Sequence, residues 1–200
     1  MKVCVIQPAY STEYSKSDDY FKFECELLEK CDETMDIIVM PESTDMPCLC
    51  KNQEERILSI QKYNEAILEK AKETAERCNA IVFINARYKT DGGYRNTTYA
   101  FDRKGELKGL YFKQQLTPGE MKQEEMDTSY EFKNESPTVI EIEGIRFGFL
   151  TCYDFYFYEN FANMARCNLD VIIGCSHQRS DTQEAIKIMS RFLAYNTNSY

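Results

Sequence analysis

Two hundred residues, 43% of them hydrophobic and 28% charged, suffice for one globular domain, at most two, with a sizeable core. A net charge of −9 argues against a nucleic-acid partner, whose phosphates need a basic surface, and no apolar run reaches the length of a membrane span. The chain enters strand-like Lys2-Val3-Cys4-Val5-Ile6 at once, without a signal peptide, so a cytoplasmic location is expected.

Val3–Ile6 reads as a short buried strand ending at Gln7-Pro8. Residues 18–33 place Tyr20, Phe23, Leu27 and Leu28 at helical spacing among Glu and Lys, which predicts an amphipathic helix. Ile37–Met40 is a second buried strand, stopped by Pro41. A loop over Pro47–Asn52 leads into a long helix over Glu54–Cys78, with Ile57, Ile60, Ile67, Leu68 and Ala71 on its apolar face. Ala80–Ile84 is the third strand, and Asp91-Gly92-Gly93 marks a turn. Asn96–Phe101 and Leu107–Phe112 flank the hairpin signal Asp102-Arg103-Lys104-Gly105. The polar, acidic stretch 117–137, with a proline near each end, predicts a long loop. Thr138–Ile142 and Ile145–Leu150 form a second hairpin around Glu143-Gly144. A helix over Phe157–Cys167, a strand over Leu169–Ile173 and a helix over Thr182–Asn196 complete the chain. Hairpins set among βα units predict a mixed α/β protein with two sheets packed together.

The nine cysteines are odd in number and scattered. Cys4, Cys25, Cys78, Cys167 and Cys175 each lie in or beside an apolar element, where a reduced cysteine is a small core residue. Cys48-Leu49-Cys50 invites a metal reading with Cys31 or Cys78, but the spacing matches no zinc pattern and a second close pair is missing. Neither a metal nor a cofactor is expected.

The informative positions follow the strands. Ile37–Met40 ends in Pro41-Glu42, Leu107–Phe112 ends in Lys113, and Ile145–Leu150 ends in Thr151-Cys152-Tyr153-Asp154. Open α/β sheets build their sites past the C-terminal ends of strands. A thiol held rigidly there, beside free backbone N–H groups, is a place for a nucleophile. Each residue alone has a plain explanation: a core thiol, a solvated loop acid, an edge charge. It is their coincidence that points to chemistry. Asp154 is expected to bond local backbone N–H groups in the turn.

These segments resemble the signatures of the nitrilase, or carbon–nitrogen hydrolase, superfamily. MPES at 40–43 is similar to its glutamate motif, YFKQQLTPGE at 111–120 to its lysine motif, and FGFLTCYDFYFYE at 147–159 to its cysteine motif. GGYRNTTYAFDRKGEL resembles the hairpin that precedes the lysine, and the motifs stand in the family's order from Met1 to Tyr200. The resemblance implies one carbon–nitrogen hydrolase domain over 1–200, folded as a four-layer αββα sandwich. It implies hydrolysis of a small amide or N-carbamoyl compound by a Cys-Glu-Lys set. Cys152 would be the nucleophile and form a thioester. Glu42 would be the general base. Lys113, with the Tyr153 N–H, would stabilise the oxyanion. Glu120 would position Lys113 and the substrate. Substrate contacts are expected from Tyr153, Tyr156 and His177, with Phe155 nearby, and a homodimer paired through helices is implied.

The chain departs from the family pattern in three places. Tyr156 and Tyr158 stand where the cysteine motif commonly has arginine and proline, and Gln115 where the lysine motif usually has histidine. Family domains also continue past the helix containing Arg191-Phe192-Leu193, so an incomplete second sheet is expected, with impaired stability or activity. The alternative is a non-catalytic remnant or assembly subunit that keeps the fold. An isochorismatase-like hydrolase would need an aspartate where Gln7 ends the first strand. Glutamine-amidotransferase and papain-like readings lack a suitable histidine, since His177 is the only one.

Overall fold

A computed structural model describes residues 1–123, 125–129, 138–177 and 183–200. In chain order, β1 (Val3–Val5), α1 (Ser17–Glu29), β2 (Ile37–Val39), α2 (Gln53–Cys78) and β3 (Ile81–Thr90) alternate. Two hairpin-linked strands, β4 (Gly93–Phe101) and β5 (Leu107–Phe112), follow, and then a short helix, α3 (Pro118–Gln123). A second unit comprises β6 (Ile140–Ile142), β7 (Ile145–Thr151), a 3-10 turn (Cys152–Tyr156), α4 (Tyr158–Met164), β8 (Val171–Cys175) and α5 (Gln183–Thr197).

The first five strands make one sheet in the order β1-β2-β3-β4-β5, parallel from β1 to β3 and antiparallel from β3 to β5. The other sheet has the order β6-β7-β8. Strand alternation divides each apolar run between two cores. Ile38, Met40, Val82 and Ile84 face outward onto α1 and α2 through Leu28, Ile67, Ala71 and Ala75. Their neighbours Ile37, Val39, Ile81 and Phe83 face inward and meet Ile140, Phe147, Phe149 and Ile173 of the second sheet. The far face of that sheet is covered by α4 and α5 through Phe161, Met164 and Leu193. The layers are therefore helix, sheet, sheet, helix.

Local chemistry fixes the helix ends. Asn52 caps α2 by accepting from the Glu55 N–H at 2.9 Å, and Asn79 ends it in the left-handed region at φ 49°. α1 stops at Glu29 rather than near residue 33, because the Asp32 side chain takes the Thr34 N–H at 2.9 Å in a competing local turn.

Several expectations need correction. β3 runs on to Thr90 and pairs with β4 from Gly93, so the turn at Asp91-Gly92 closes a hairpin between long strands. The predicted loop 117–137 contains α3, while 130–137 lie outside the described residues. The helix expected over Phe157–Cys167 is present but shorter, α4 at Tyr158–Met164, with a 3-10 turn before it, and the last strand lies two residues later than predicted. Thr182, the expected start of the last helix, is outside the described residues. β1 is not buried: Val3 and Val5 are 54% and 72% exposed. Register puts them on the same face as Ile37 and Val39, but at the sheet edge, which the three-stranded sheet does not cover. On the open side of β8, the Tyr200 N–H donates to the Asp170 carbonyl at 3.0 Å, and its own carbonyl accepts from Ile172 at 2.8 Å.

Gly148 in β7 lies under Leu169, whose Cδ1 would be 2.4 Å from an added Cβ. Gly148→Ala is expected to destabilise the fold by about 1–3 kcal/mol through overpacking. Urea unfolding would measure it, and a neutral result would show that Leu169 yields freely.

Candidate active site

Three strand ends and α3 converge on one buried cation. Lys113, the residue after β5, is 1% exposed, and its Nζ lies 2.9 Å from Glu42 Oε1 and 2.8 Å from Glu120 Oε2. Glu42 arrives from the end of β2. Glu120 arrives from α3, where Thr117 holds it by its N–H at 2.8 Å and its hydroxyl at 2.9 Å. The Cys152 thiol lies 3.9 Å from the His177 carbonyl and close enough to Glu42 and Lys113 for both charges to act on it. The second Glu42 oxygen accepts from the His177 N–H at 3.1 Å.

Sequence reasoning missed the polar residues beneath this cluster. Asn96 Nδ2 donates to Glu42 Oε1 at 2.9 Å and to Glu120 Oε1 at 2.7 Å, so one amide ties the two acids together. Asn85 donates to the Asn96 side-chain oxygen at 2.8 Å and accepts from the Ser43 N–H at 2.9 Å. Asn85, Asn96, Thr97 and Thr98 are all essentially unexposed. A polar run inside paired strands was the available signal, since buried amides are kept only where they have partners.

Asp154 braces the site from the other side. Its Oδ2 accepts from the Thr151 N–H at 2.9 Å and the Tyr111 hydroxyl at 2.6 Å, and its Oδ1 from the Gln115 N–H at 2.8 Å. Tyr111 and Gln115 flank Lys113, whereas Thr151 precedes Cys152, so one carboxyl group holds the lysine and cysteine segments together. Full burial raises that carboxyl to about 7 against the lowering effect of its donors. Cys152 itself is in the left-handed region at φ 47°, as is Ser43 at φ 65°. Each such residue costs about 1–2 kcal/mol, and both sit beside the cluster.

Burial works to neutralise Lys113, but the charges of Glu42 and Glu120 outweigh it and hold the ammonium above its ordinary range. Burial also works to raise Glu120, and Lys113 and then Arg87 pull it well below the usual carboxylate range. The Cys152 thiol is pushed up to about 12 by burial and by the charge of Glu42, with Lys113 opposing. At neutral pH it is a thiol beside a carboxylate. Partial burial lowers His177, against the opposing charge of Glu42.

A cleft of about 550 Å³ opens over the cluster, within the usual range for small-molecule sites. Glu42, Lys113, Glu120, Cys152 and His177 line it, and Tyr10, Arg56 and Arg87, which sequence reasoning did not single out, add to its wall. Tyr153 and Tyr156 pack on each other at 5.7 Å and Tyr153 on Phe157 at 5.2 Å, outside that lining. Phe155 is buried in the core under α4. Cys48 and Cys50 lie in the cleft wall, the Cys50 thiol directed at the Cys48 carbonyl at 3.5 Å. Among the described residues no three metal-ligating side chains converge, and no helix is long and apolar enough to cross a membrane.

Lys113→Ala would leave Glu42 and Glu120 buried face to face, and is expected to cost about 3–5 kcal/mol in denaturant unfolding. Adding Glu42→Gln and Glu120→Gln should recover much of that loss. A single-variant cost below about 1 kcal/mol would mean the cluster is not electrostatically coupled.

The fold agrees with comparisons to known proteins. A comparison with curated proteins gives no match. Among solved structures, an amidase from Nesterenkonia sp. superposes with a TM-score of 0.74 at 17% identity, covering 97% of this chain and 71% of that one. A carbon–nitrogen hydrolase superfamily protein from Xanthomonas campestris, with an arsenic adduct in its active site, gives 0.71 at 17% identity over 96% and 71%. A carbon–nitrogen hydrolase from Helicobacter pylori G27 gives 0.66 at 18% identity over 98% and 67%. These likenesses establish the nitrilase-type fold. The carbon–nitrogen hydrolase family model matches residues 2–200, and the chain belongs to that family.

Proposed function

We propose that the protein hydrolyses a small amide or N-carbamoyl compound through a thioester on Cys152. The observation that carries this reading is the Lys113 ammonium held between Glu42 and Glu120 in the wall of the cleft that Cys152 also lines. A protonated thiol needs a base, and Glu42 is the neighbouring carboxylate whose charge acts on it. Glu42 takes the thiol proton as sulfur attacks the carbonyl carbon. The developing oxyanion is met by a Lys113 N–H and the Tyr153 backbone N–H. An ammonium has three protons. The two carboxylates claim at least two, and the remaining one is assigned to the oxyanion. Glu42 then passes its proton to the departing nitrogen, and ammonia or an amine leaves. It next takes a proton from the water that opens the thioester, giving the acid and free thiol. Glu120 positions Lys113, and His177 is assigned to substrate contact from the cleft wall. Tyr153 and Tyr156 remain candidates for contact with a larger substrate.

The nine cysteines, scattered along the sequence without a disulfide framework, fit a reducing, cytoplasmic setting. A homodimer is proposed through α4 and α5, whose Tyr158, Ile188, Phe192 and Tyr195 are 71%, 65%, 50% and 90% exposed. Sedimentation equilibrium should give twice the chain mass, and Ile188→Glu with Phe192→Glu should give the monomer. A wild-type monomer at micromolar concentration would refute the dimer.

Ammonia release from short amides and N-carbamoyl amino acids tests the chemistry. Cys152→Ala is expected to abolish it and Glu42→Gln to reduce it at least about 100-fold, the usual scale of lost general-base catalysis. Mass spectrometry of the wild type should find an acyl adduct on Cys152. Turnover retained by Cys152→Ala would remove the mechanism.

A further inference from the structure

A side pocket of about 160 Å³ adjoins the main cleft, sharing Tyr10, Glu42, Ser43, Met46 and His177 with it. Its inner wall carries Glu24, which projects from α1 and is 3% exposed. Glu24 Oε2 has no hydrogen-bond partner among the described residues. Among those residues, the charged side chains in the pocket wall are both acids, Glu24 and Glu42. The Tyr10 ring is fixed at the mouth, edge-on to His177 at 4.2 Å.

A buried carboxyl oxygen without a partner destabilises the empty fold, and a ligand that supplies the missing donor recovers that loss. The donor that fits an acidic, tyrosine-rimmed pocket of this size is a primary ammonium on a short methylene stem. It offers three N–H groups, complements two carboxyl groups, and gains further attraction from an aromatic face. A carboxylate head would find no lysine or arginine in that wall among the described residues. Resting on the hydrolase reading above, we propose that Glu24 recognises a cationic substrate tail. The scissile amide or carbamoyl group sits at Cys152, and an ammonium at the other end of a short aliphatic chain enters the side pocket. Burial, then the nearby charge of Asp45, holds the Glu24 carboxyl well above its ordinary range, and an arriving ammonium draws it back towards the anion.

Ammonia release from ω-amino amides of three to six carbons, compared with alkyl amides and ω-carboxy amides of equal length, tests this on the full chain. The best amino amide should exceed its alkyl counterpart at least 10-fold in kcat/KM. In Glu24→Gln, and in Glu24→Met as a second variant near in volume, that preference should fall at least 10-fold, mainly through KM. A wild type that prefers the alkyl amide would overturn the proposal, as would an equal loss for both substrates. A preference for the ω-carboxy amide would also overturn it and assign recognition to Arg56 in the cleft wall. Cys152-dependent turnover of alkyl amides without a tail preference would leave the hydrolase reading standing and sink this one alone. Calorimetry with Cys152→Ala decides the matter without turnover. 5-Aminopentanamide should bind at least 10-fold tighter than pentanamide, and equal binding would refute the proposal.

Discussion

A lysine side chain withdrawn almost wholly from water is the constraint from which the rest of the site follows. Moving an ammonium out of water costs several kcal/mol, and the cost is offset only when counter-charges reach it with good geometry. Glu42 and Glu120 do so from opposite directions in sequence, 71 residues before Lys113 and 7 after it. That requirement fixes where β2 must end relative to β5. It also makes the chain after β5 fold straight back into α3. Two carboxylates drawn to one cation repel each other, and the Asn96 amide between them relieves this with a proton for each. Asn85 then fixes which way that amide points.

The cysteine is bound to this arrangement by backbone hydrogen bonds more than by apolar contact. Asp154 takes protons from the residue before Cys152, from the residue two after Lys113 and from Tyr111 on β5. A carboxyl group with three donors in a fully buried setting leaves little freedom of approach between the two segments. It also stabilises the tight turn that carries Cys152 in a left-handed conformation. The strain at Cys152 and Ser43 lies where strained backbone is most often found, next to groups that must be held at fixed separation.

What could be read from residues alone was the apolar skeleton and the charges that interrupt it. Ile37–Val39, Ile81–Ile84 and Ile145–Leu150 announce buried strands, and Glu42, Lys113 and Cys152 stand out because each stops such a run. The rest was hidden because it is polar and buried. Asn85 and Arg87 lie past the predicted end of the third strand and Asn96 looks like the start of the next, although all three lie in the middle of the β3–β4 hairpin. Their burial depends on partners 11 to 54 residues away, which no local pattern encodes. The exposure of Val3 and Val5 depends likewise on how far the second sheet extends, and not on their own sequence. Glu24 was invisible for the opposite reason: it is one of several acids on a highly charged helix, and only packing sets it apart from its solvated neighbours.

The protonation of the thiol bears on why a carboxylate serves as its partner. An imidazole beside a cysteine favours a standing ion pair, with the nucleophile charged before substrate arrives. A carboxylate does the reverse, because its charge opposes that of a thiolate, and here Glu42 adds to burial in holding Cys152 near 12. Under the proposed mechanism, sulfur becomes anionic only as it bonds to carbon, when the negative charge passes on to the substrate oxygen. The Lys113 ammonium is then better placed than in the resting state, since the charge it faces grows during attack. Its interaction is therefore stronger in the transition state than in the ground state, which is the condition for lowering the barrier. The two carboxylates that keep Lys113 charged in a buried site are thus part of the same device as the thiol they restrain.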